Sequence, residues 1–237
     1  KQEDKQEDKQ EDKQEDKQED KQKDKQEGST PPLVIILRGV PGSGKSTTCL
    51  RALSLLQQQQ PQLSHVICSA DHYFERTDPS TGQVTYHWSA SKIQDAHAYC
   101  QEKFEHSIKS SIQGGGGGGG SGIVIVDNTN VRKWNYKYYM QRARHYNCPL
   151  LILAMETKSV PVSNSHSVPK ETVARMLRQW DRDDSEIKIQ STRDDVATGL
   201  VKDAIVAALL LSTPSTSSTA STASTASTPS TSSTSST

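Results

Sequence analysis

Leu33-Val-Ile-Ile-Leu37 is an unbroken apolar run, the pattern of a strand covered on both faces. His65-Val-Ile-Cys-Ser69, Ile123-Val-Ile-Val126 and Leu150–Met155 repeat that pattern, and Ile187–Ile189 is a weaker fifth instance. Between these runs the apolar spacing changes to that of helices. Ser46–Gln57 places Leu50, Leu53 and Leu56 on one face, and Pro61 closes the connection to the next strand. Ser89–Ser111 does the same with Ile93, Ala96, Tyr99 or Cys100, Phe104 and Ile108. Val168–Trp180 is a third helical stretch with Pro169 at its first turn, and Val196–Leu211 is the last. Alternation of this kind predicts an α/β fold, a parallel five-stranded sheet with helices on both faces.

The two ends of the chain break the pattern. Residues 1–27 are almost wholly a Lys-Gln-Glu-Asp repeat within a low-complexity charged tail 1–30, and residues 212–237 are almost wholly Ser, Thr, Ala and Pro. Neither has apolar side chains whose burial could offset ordering entropy, so both are expected to be disordered tails. The repeat's period of four also stacks like charge on like at i, i+4, which works against a helix. A glycine-rich insert at 114–122 reads as a flexible excursion. The globular domain is therefore expected within residues 31–211 of the 237-residue chain.

Charge adds a little. The formal net charge is zero, but the first thirty residues hold 8 Lys against 12 Asp and Glu. The remainder holds 20 Lys and Arg against 16 acids, and this +4 permits a phosphate-rich partner without demanding one. Cys49, Cys68, Cys100 and Cys148 are scattered without zinc spacing, and Cys68 and Cys148 lie in or beside apolar runs, as buried thiols do. A reducing compartment, cytoplasmic or nuclear, is the simpler expectation. No run reaches the ~18 apolar residues of a membrane span. No secretory leader is visible, although a chain that begins at Lys1 leaves room for a segment upstream.

The residues that fix the chemistry follow the first strand. Gly39-Val-Pro41-Gly42-Ser43-Gly44-Lys45-Ser46 fits G-x-x-x-x-G-K-S and stands between a strand and a helix, the context that this motif requires. Its glycines let backbone N–H groups wrap phosphates, and the helix N-terminus adds partial positive charge. Gly39, Pro41, Gly42, Ser43, Gly44, Lys45, Ser46 and Thr47 are thus the expected ATP-binding residues. Lys45 would reach the β- and γ-phosphates, and Ser46 would ligate Mg²⁺. Such sites need a second acidic group, and Asp127, at the end of the third apolar run, is the candidate second Mg²⁺ ligand. The competing reading makes Asp127 a helix N-cap, a duty that Asn128 or Asn130 could also perform. Asp71, at the end of the second run, is the candidate general base for an attacking hydroxyl, against a reading as a turn residue. His72 has no partner at a telling spacing.

Arg38–Thr47, Ser69-Ala-Asp71-His-Tyr-Phe74 and Asp127-Asn-Thr-Asn130 together resemble the kinase domain of phage-type polynucleotide kinases, in particular the eukaryotic NEDD-four-binding protein two-like proteins. Tyr86 with Ala96-His97 resembles that family's middle segment, and Trp134 its third-strand signature. Asn164-x-His166-x-Val168-Pro169-x-Glu171-x-x-x-Arg175-Met176 resembles its lid helix. The likeness covers nearly all of residues 32–180. It implies a P-loop NTPase sheet of kinase type, ATP with Mg²⁺, and a 5′-hydroxyl polynucleotide as acceptor. It implies that Lys45, Asp71 and Arg175 are catalytic, Arg175 as the lid arginine on the transferring phosphate, with Arg178 one turn later in reserve. The chain departs from the family in three places. The stretch from Glu156 to Asn164 is short and its one cation is Lys158, Ser167 stands where Gly is usual, and neither the tails nor the glycine run is a family feature.

One basic stretch bears on the acceptor. Arg132, Lys133, Lys137, Arg142 and Arg144 are interleaved with Trp134, Tyr136, Tyr138 and Tyr139, a mixture that suits a nucleic-acid backbone and stacked bases. The alternative is an ordinary helix that turns Trp134, Tyr138 and the Ala143 side to the core. Three functions stay open: a polynucleotide 5′-kinase, a P-loop kinase for a small hydroxyl metabolite, and a nucleotide-binding interaction protein with weak or no kinase activity whose tails recruit a protein partner.

Overall fold

The computed structural model describes residues 30–113, 122–157, 160–161, 163–164, 166–190 and 194–212. The expectations for both tails, for the glycine run and for Lys158 lie outside the described residues.

Five parallel strands form the main sheet: β1 (Leu33–Arg38), β2 (His65–Cys68), β5 (Ile123–Asp127), β6 (Leu150–Glu156) and β7 (Ile187–Gln190), side by side in the order β2-β5-β1-β6-β7. The two short antiparallel strands β3 (Glu75–Thr77) and β4 (Val84–Tyr86) form a separate hairpin. The sequence pattern did not announce that hairpin, because three-residue strands are too short to carry a period.

The helices cover both faces, as the uniformly apolar strands require. α1 (Lys45–Gln59) and α5 (Asp194–Ser212) pack with Leu33, Ile35 and Leu37. α2 (Ile93–Ile112) and α3 (Lys133–His145) pack with Val34 and Ile36 on the other face. α4 (Lys170–Arg178) is a short helix that buries Val173.

The buried faces differ in detail from the expected ones. In α1 the core face is Cys49, Ala52, Leu53 and Leu56, while Leu50 is 39% exposed. In α2 it runs Ala96, Cys100, Phe104 and Ile108, which leaves Ile93 and Tyr99 at the surface. α4 starts two residues later than its pattern suggests, because Asn164 bonds Val168 through both its amide oxygen and its amide nitrogen and holds the lead-in away from helix.

The strand order positions the site. From β1 the chain goes to β2 on one side, and from β5 it crosses back over β1 to β6 on the other. Open α/β sheets bind ligands in the crevice at the carboxyl ends where such connections diverge. The P-loop, Asp71 and Asp127 all lie at that edge.

Candidate active site

Gly39 follows β1 directly, and its N–H donates to the Thr129 carbonyl at 3.0 Å. Gly42 and Gly44 have φ of 82° and 84°, where any other L-residue would be strained. A Cβ at Gly39 would stand 2.4 Å from Ser43 Oγ, and one at Gly42 would stand 2.3 Å from the Ser163 carbonyl oxygen. Gly42 therefore cannot carry a side chain, whereas at Gly39 the Ser43 hydroxyl would have to turn away, and the Ser163 backbone packs against the cradle at Gly42. Gly44 caps α1 without a side-chain bond, and the first turn of α1 has no acidic residue. Its free N–H groups and dipole are left for an anion.

Lys45 Nζ lies 3.7 Å from Asp127 Oδ1. In the sheet Asp127 pairs with Leu37, which brings the end of β5 beside the start of the P-loop. Asp127 does not cap a helix. Arg132 occupies the N-cap position of α3, and its N–H donates to Asn135 Oδ1. Asp127 Oδ1 and Ser43 Oγ are buried without a hydrogen-bond partner. Buried polar atoms without a hydrogen bond are costly, so Ser43 Oγ and an Asp127 Oδ1 that has the Lys45 ammonium only at 3.7 Å fit a site made for an anion and a hard cation. Ser46 is half-buried and Thr47 exposed at the first turn of α1.

The rest of Asp127-Asn-Thr-Asn130 is bound to the neighbouring loops. Asn128 Oδ1 accepts from the Ala70 N–H at 3.0 Å, which ties the end of β5 to the loop carrying Asp71. Asn130, at φ 47°, donates to the Leu37 carbonyl at 2.8 Å. Its own carbonyl accepts from Arg38 Nε at 2.9 Å. Arg38 has no exposed surface and bonds Glu186 and the carbonyls of Val131 and Asp181, with Trp180 and Tyr136 rings on its guanidinium at 4.4 and 4.9 Å. Burial pushes the Glu186 carboxyl up, and the Arg38 charge opposes that rise. Tyr136 in turn donates to Asp183 at 2.6 Å. Sequence reasoning passed over Asp181, Asp183 and Glu186, although the acidic run after Trp180 was a visible signal.

Asp71 lies in a short 3₁₀ turn, Ala70–Tyr73, just after β2. The Tyr86 hydroxyl, from β4, donates to Asp71 Oδ1 at 2.8 Å. Burial first, then Asp71, raises the Tyr86 hydroxyl well above its ordinary range, so it remains a donor. His166 Nε2 stands 3.5 Å from Asp71 Oδ2, and the His166 and Tyr86 rings lie 4.3 Å apart. His97 sits in the same neighbourhood, where burial pushes its imidazole below the usual range against the pull of Asp71. His72 meets Lys103 at 3.3 Å.

The structure thus joins Lys45 to Asp127, and Asp71 to Tyr86 and His166. Arg175 and Arg178 are exposed on α4 and make no ion pair among the described residues, so no contact joins them to Lys45 or Asp71. Ser167, where a glycine is usual in the resembling family, has φ 52°, the left-handed conformation that favours glycine. The expected core face of α3 is corrected: Tyr136, Tyr139 and Ala143 are buried, Tyr138 is partly buried and Trp134 is 67% exposed.

The sequence profile of a family described as an AAA domain matches residues 34–160, more than half of the chain. The chain belongs to that AAA-domain family. Human NEDD4-binding protein 2 is 30% identical to this chain over 156 residues, 63% of this chain but 8% of that relative. The chain thus spans only a small part of the curated relative's length, and the resemblance read from the motifs holds for that part. Among solved structures, Kti12 from Chaetomium thermophilum, in complex with ADP-AlF3, superposes with a TM-score of 0.52 at 17% identity over 74% of this chain and 98% of that one. The shared feature is the fold, a P-loop kinase-like α/β sheet. No helix among the described residues of this AAA-domain chain is long and apolar enough to cross a membrane.

Proposed function

We propose that the domain transfers the γ-phosphoryl group of ATP to the 5′-hydroxyl of a polynucleotide. The carrying observation is Asp71. It stands at the ligand-binding edge of the sheet, two strands from β1, with one oxygen held by Tyr86 and the side chain still 45% exposed. In this reading Asp71 accepts the proton of the attacking hydroxyl. The new bond joins that oxygen to the γ-phosphorus, the bond to the β-phosphate oxygen breaks, and ADP leaves. An open carboxylate suits the end of a long acceptor better than a small metabolite, which is normally enclosed.

The P-loop from Gly39 to Thr47 holds the phosphates through backbone N–H groups, and Lys45 places its charge on the β- and γ-phosphates. Ser46 and Asp127 would hold Mg²⁺, which supplies charge neutralisation on those phosphates when bound. Arg175, with Arg178 in reserve, meets the transferring phosphoryl group from α4. The nucleotide in the Kti12 complex supports a nucleotide in the same fold here. Four free thiols fit a reducing setting, cytoplasmic or nuclear.

A second reading, a nucleotide-binding interaction protein with weak or no kinase activity, is favoured by one contact: His166 lies against the Asp71 oxygen that a hydroxyl would need. The deciding experiment incubates the full chain with labelled ATP and Mg²⁺ and a panel of 5′-hydroxyl DNA, 5′-hydroxyl RNA and small alcohols. Label on the oligonucleotides is expected. Label on a small alcohol alone overturns the acceptor, and binding without transfer to any of them makes the interaction reading the correct one. Lys45→Ala should lower MgATP affinity by roughly tenfold or more, since a charge-assisted phosphate contact is lost. Unchanged affinity by calorimetry would remove the P-loop assignment.

A further inference from the structure

The core uses only one side of α3. Tyr136, Tyr139 and Ala143 face the sheet, and Arg142 pairs with Glu105 on the flank. Lys133, Trp134, Lys137, Gln141 and Arg144 follow one another at i, i+1, i+4, i+8 and i+11, which is a single helical face, and all five are exposed. They border a shallow groove of about 620 Å³ whose floor includes Asp181 and Asp183. Those two carboxylates are engaged from within. Asp181 accepts from the Lys133 N–H at 2.9 Å, and Asp183 accepts from Tyr136 and Ser185. The groove thus carries three cations on its exposed helix rim above two carboxylates, a formal balance of +1, and the Lys133 charge also acts on Asp183.

Trp134 is the telling residue. A tryptophan 67% exposed contributes little to the fold, and its neighbours along the stripe are three cations. Its place also matters. α3 opens six residues after Asp127, so its first turn, with Lys133 and Trp134, lies at the carboxyl edge where the P-loop stands. The remaining cations continue the stripe along a helix about 20 Å long.

We infer that this outward face of α3 is a binding strip for single-stranded nucleic acid, with Trp134 stacking on a base and Lys133, Lys137 and Arg144 following the phosphates. An exposed aromatic with cations at backbone spacing is the chemistry that holds single strands without reading their sequence. The inference rests on the proposed acceptor class, but its test reads binding and not transfer.

The test titrates the full chain, without ATP, into fluorescent 5′-hydroxyl oligo-dT and oligo-U of about twelve nucleotides, a length within the usual site sizes. Trp134→Ala should weaken binding roughly tenfold, and Trp134→Phe should retain most of the affinity, because any aromatic face stacks. The double variant Lys137→Glu, Arg144→Glu should weaken binding further and flatten the salt dependence by about 1.4 in log–log slope, two phosphate contacts at about 0.7 each. MgATP affinity in every variant should match that of the wild type, which reports an intact fold. Wild-type affinity in Trp134→Ala and in the double variant would overturn the strip. So would the absence of wild-type binding, or competition by polyglutamate as effective as that by unlabelled oligonucleotide, which would mark an acidic protein partner instead. Oligonucleotide binding that depends on Trp134, in a protein that transfers no phosphate, would sink the kinase reading and leave the strip standing. Transfer that is indifferent to Trp134 would do the reverse.

Discussion

Arg38 and Asp71 are both charged side chains at the carboxyl edge of one sheet, and they are held in opposite ways. Arg38 has no exposed surface and bonds Glu186 and three backbone carbonyls, between two aromatic rings. Asp71 is 45% exposed and rests on Tyr86, from a two-stranded hairpin, and His166, from the segment before α4. A buried charge demands full pairing, so the Arg38 side of the crevice is fixed once the chain has folded. An exposed carboxylate tolerates looser partners, so the Asp71 side is free to adjust to what enters. The difference separates a rigid Arg38 side from an accessible Asp71 side, which the proposed function would use for the nucleotide and the acceptor respectively.

The largest effect should come from the open side. Asp71→Asn keeps the shape and removes the proton acceptor, so phosphoryl transfer to a 5′-hydroxyl oligonucleotide should fall ~10²–10⁴-fold. MgATP affinity and melting temperature should hardly move, because the proposed phosphate cradle follows a different strand, β1. Equal transfer rates in the variant and the wild type would remove Asp71 from the mechanism. The buried side should respond in the opposite sense. Arg38→Met leaves Glu186 without its partner and should cost about 3–5 kcal/mol of folding stability, read from urea denaturation. A loss below about 1 kcal/mol would mean that the guanidinium is far less confined than its contacts indicate.

A smaller effect tests the outer ring of the same network. Tyr136→Phe deletes the hydrogen bond to Asp183 and should cost about 1–3 kcal/mol. Burial pushes the Asp183 carboxyl up, but hydrogen bonds from Ser185 and Tyr136 outweigh it and bring the value down to about 2. A carboxyl lowered by folding stabilises the fold above its ordinary value near ~3.9 and loses that contribution as pH falls through about 2. Tyr136→Phe should therefore narrow the difference in stability between neutral pH and pH near 2, and an unaltered acid-unfolding curve would contradict the assignment. The smallest effect belongs to the open, Asp71 side again. Ser167→Gly removes a left-handed strain of ~1–2 kcal/mol and adds ~0.5–1 kcal/mol of unfolded-state entropy, so a net gain between zero and ~1.5 kcal/mol is expected. A variant that melts lower than the wild type would show that the serine side chain has a role of its own.

Much of this molecule was legible from its pattern. Leu33–Leu37, Ile123–Val126 and Leu150–Met155 declared buried parallel strands because both their faces are apolar, and the glycines after β1 declared a phosphate cradle. The positions of Asp71 and Asp127 just past β2 and at the end of β5 were legible from the apolar runs before them, and the principle that such sheets hold ligands at strand ends makes both candidates in the proposed function. What escaped was non-local. The burial of Arg38 depends on residues 92 to 148 positions away, and a cation beside a P-loop otherwise reads as solvated. The hairpin at Glu75–Tyr86 carries no apolar period, and its turn is set by Asp78 accepting from Ser80 and Thr81, with Gly82 at φ 70°. The face of α3 was misread because aromatics at positions 134, 136, 138 and 139 satisfy more than one helical phase, and only the sheet could choose among them.

The reach of Arg38 also has a consequence for how the protein is made. Its carboxylate partner, Glu186, emerges 148 residues later, roughly 7–30 s of synthesis at ordinary elongation rates. Throughout that interval β1 and the cradle after it exist without the ion pair that closes their flank. A nascent chain halted before Asp181 would carry a complete P-loop on a sheet still lacking β7, with the Arg38 guanidinium short of its carboxylate.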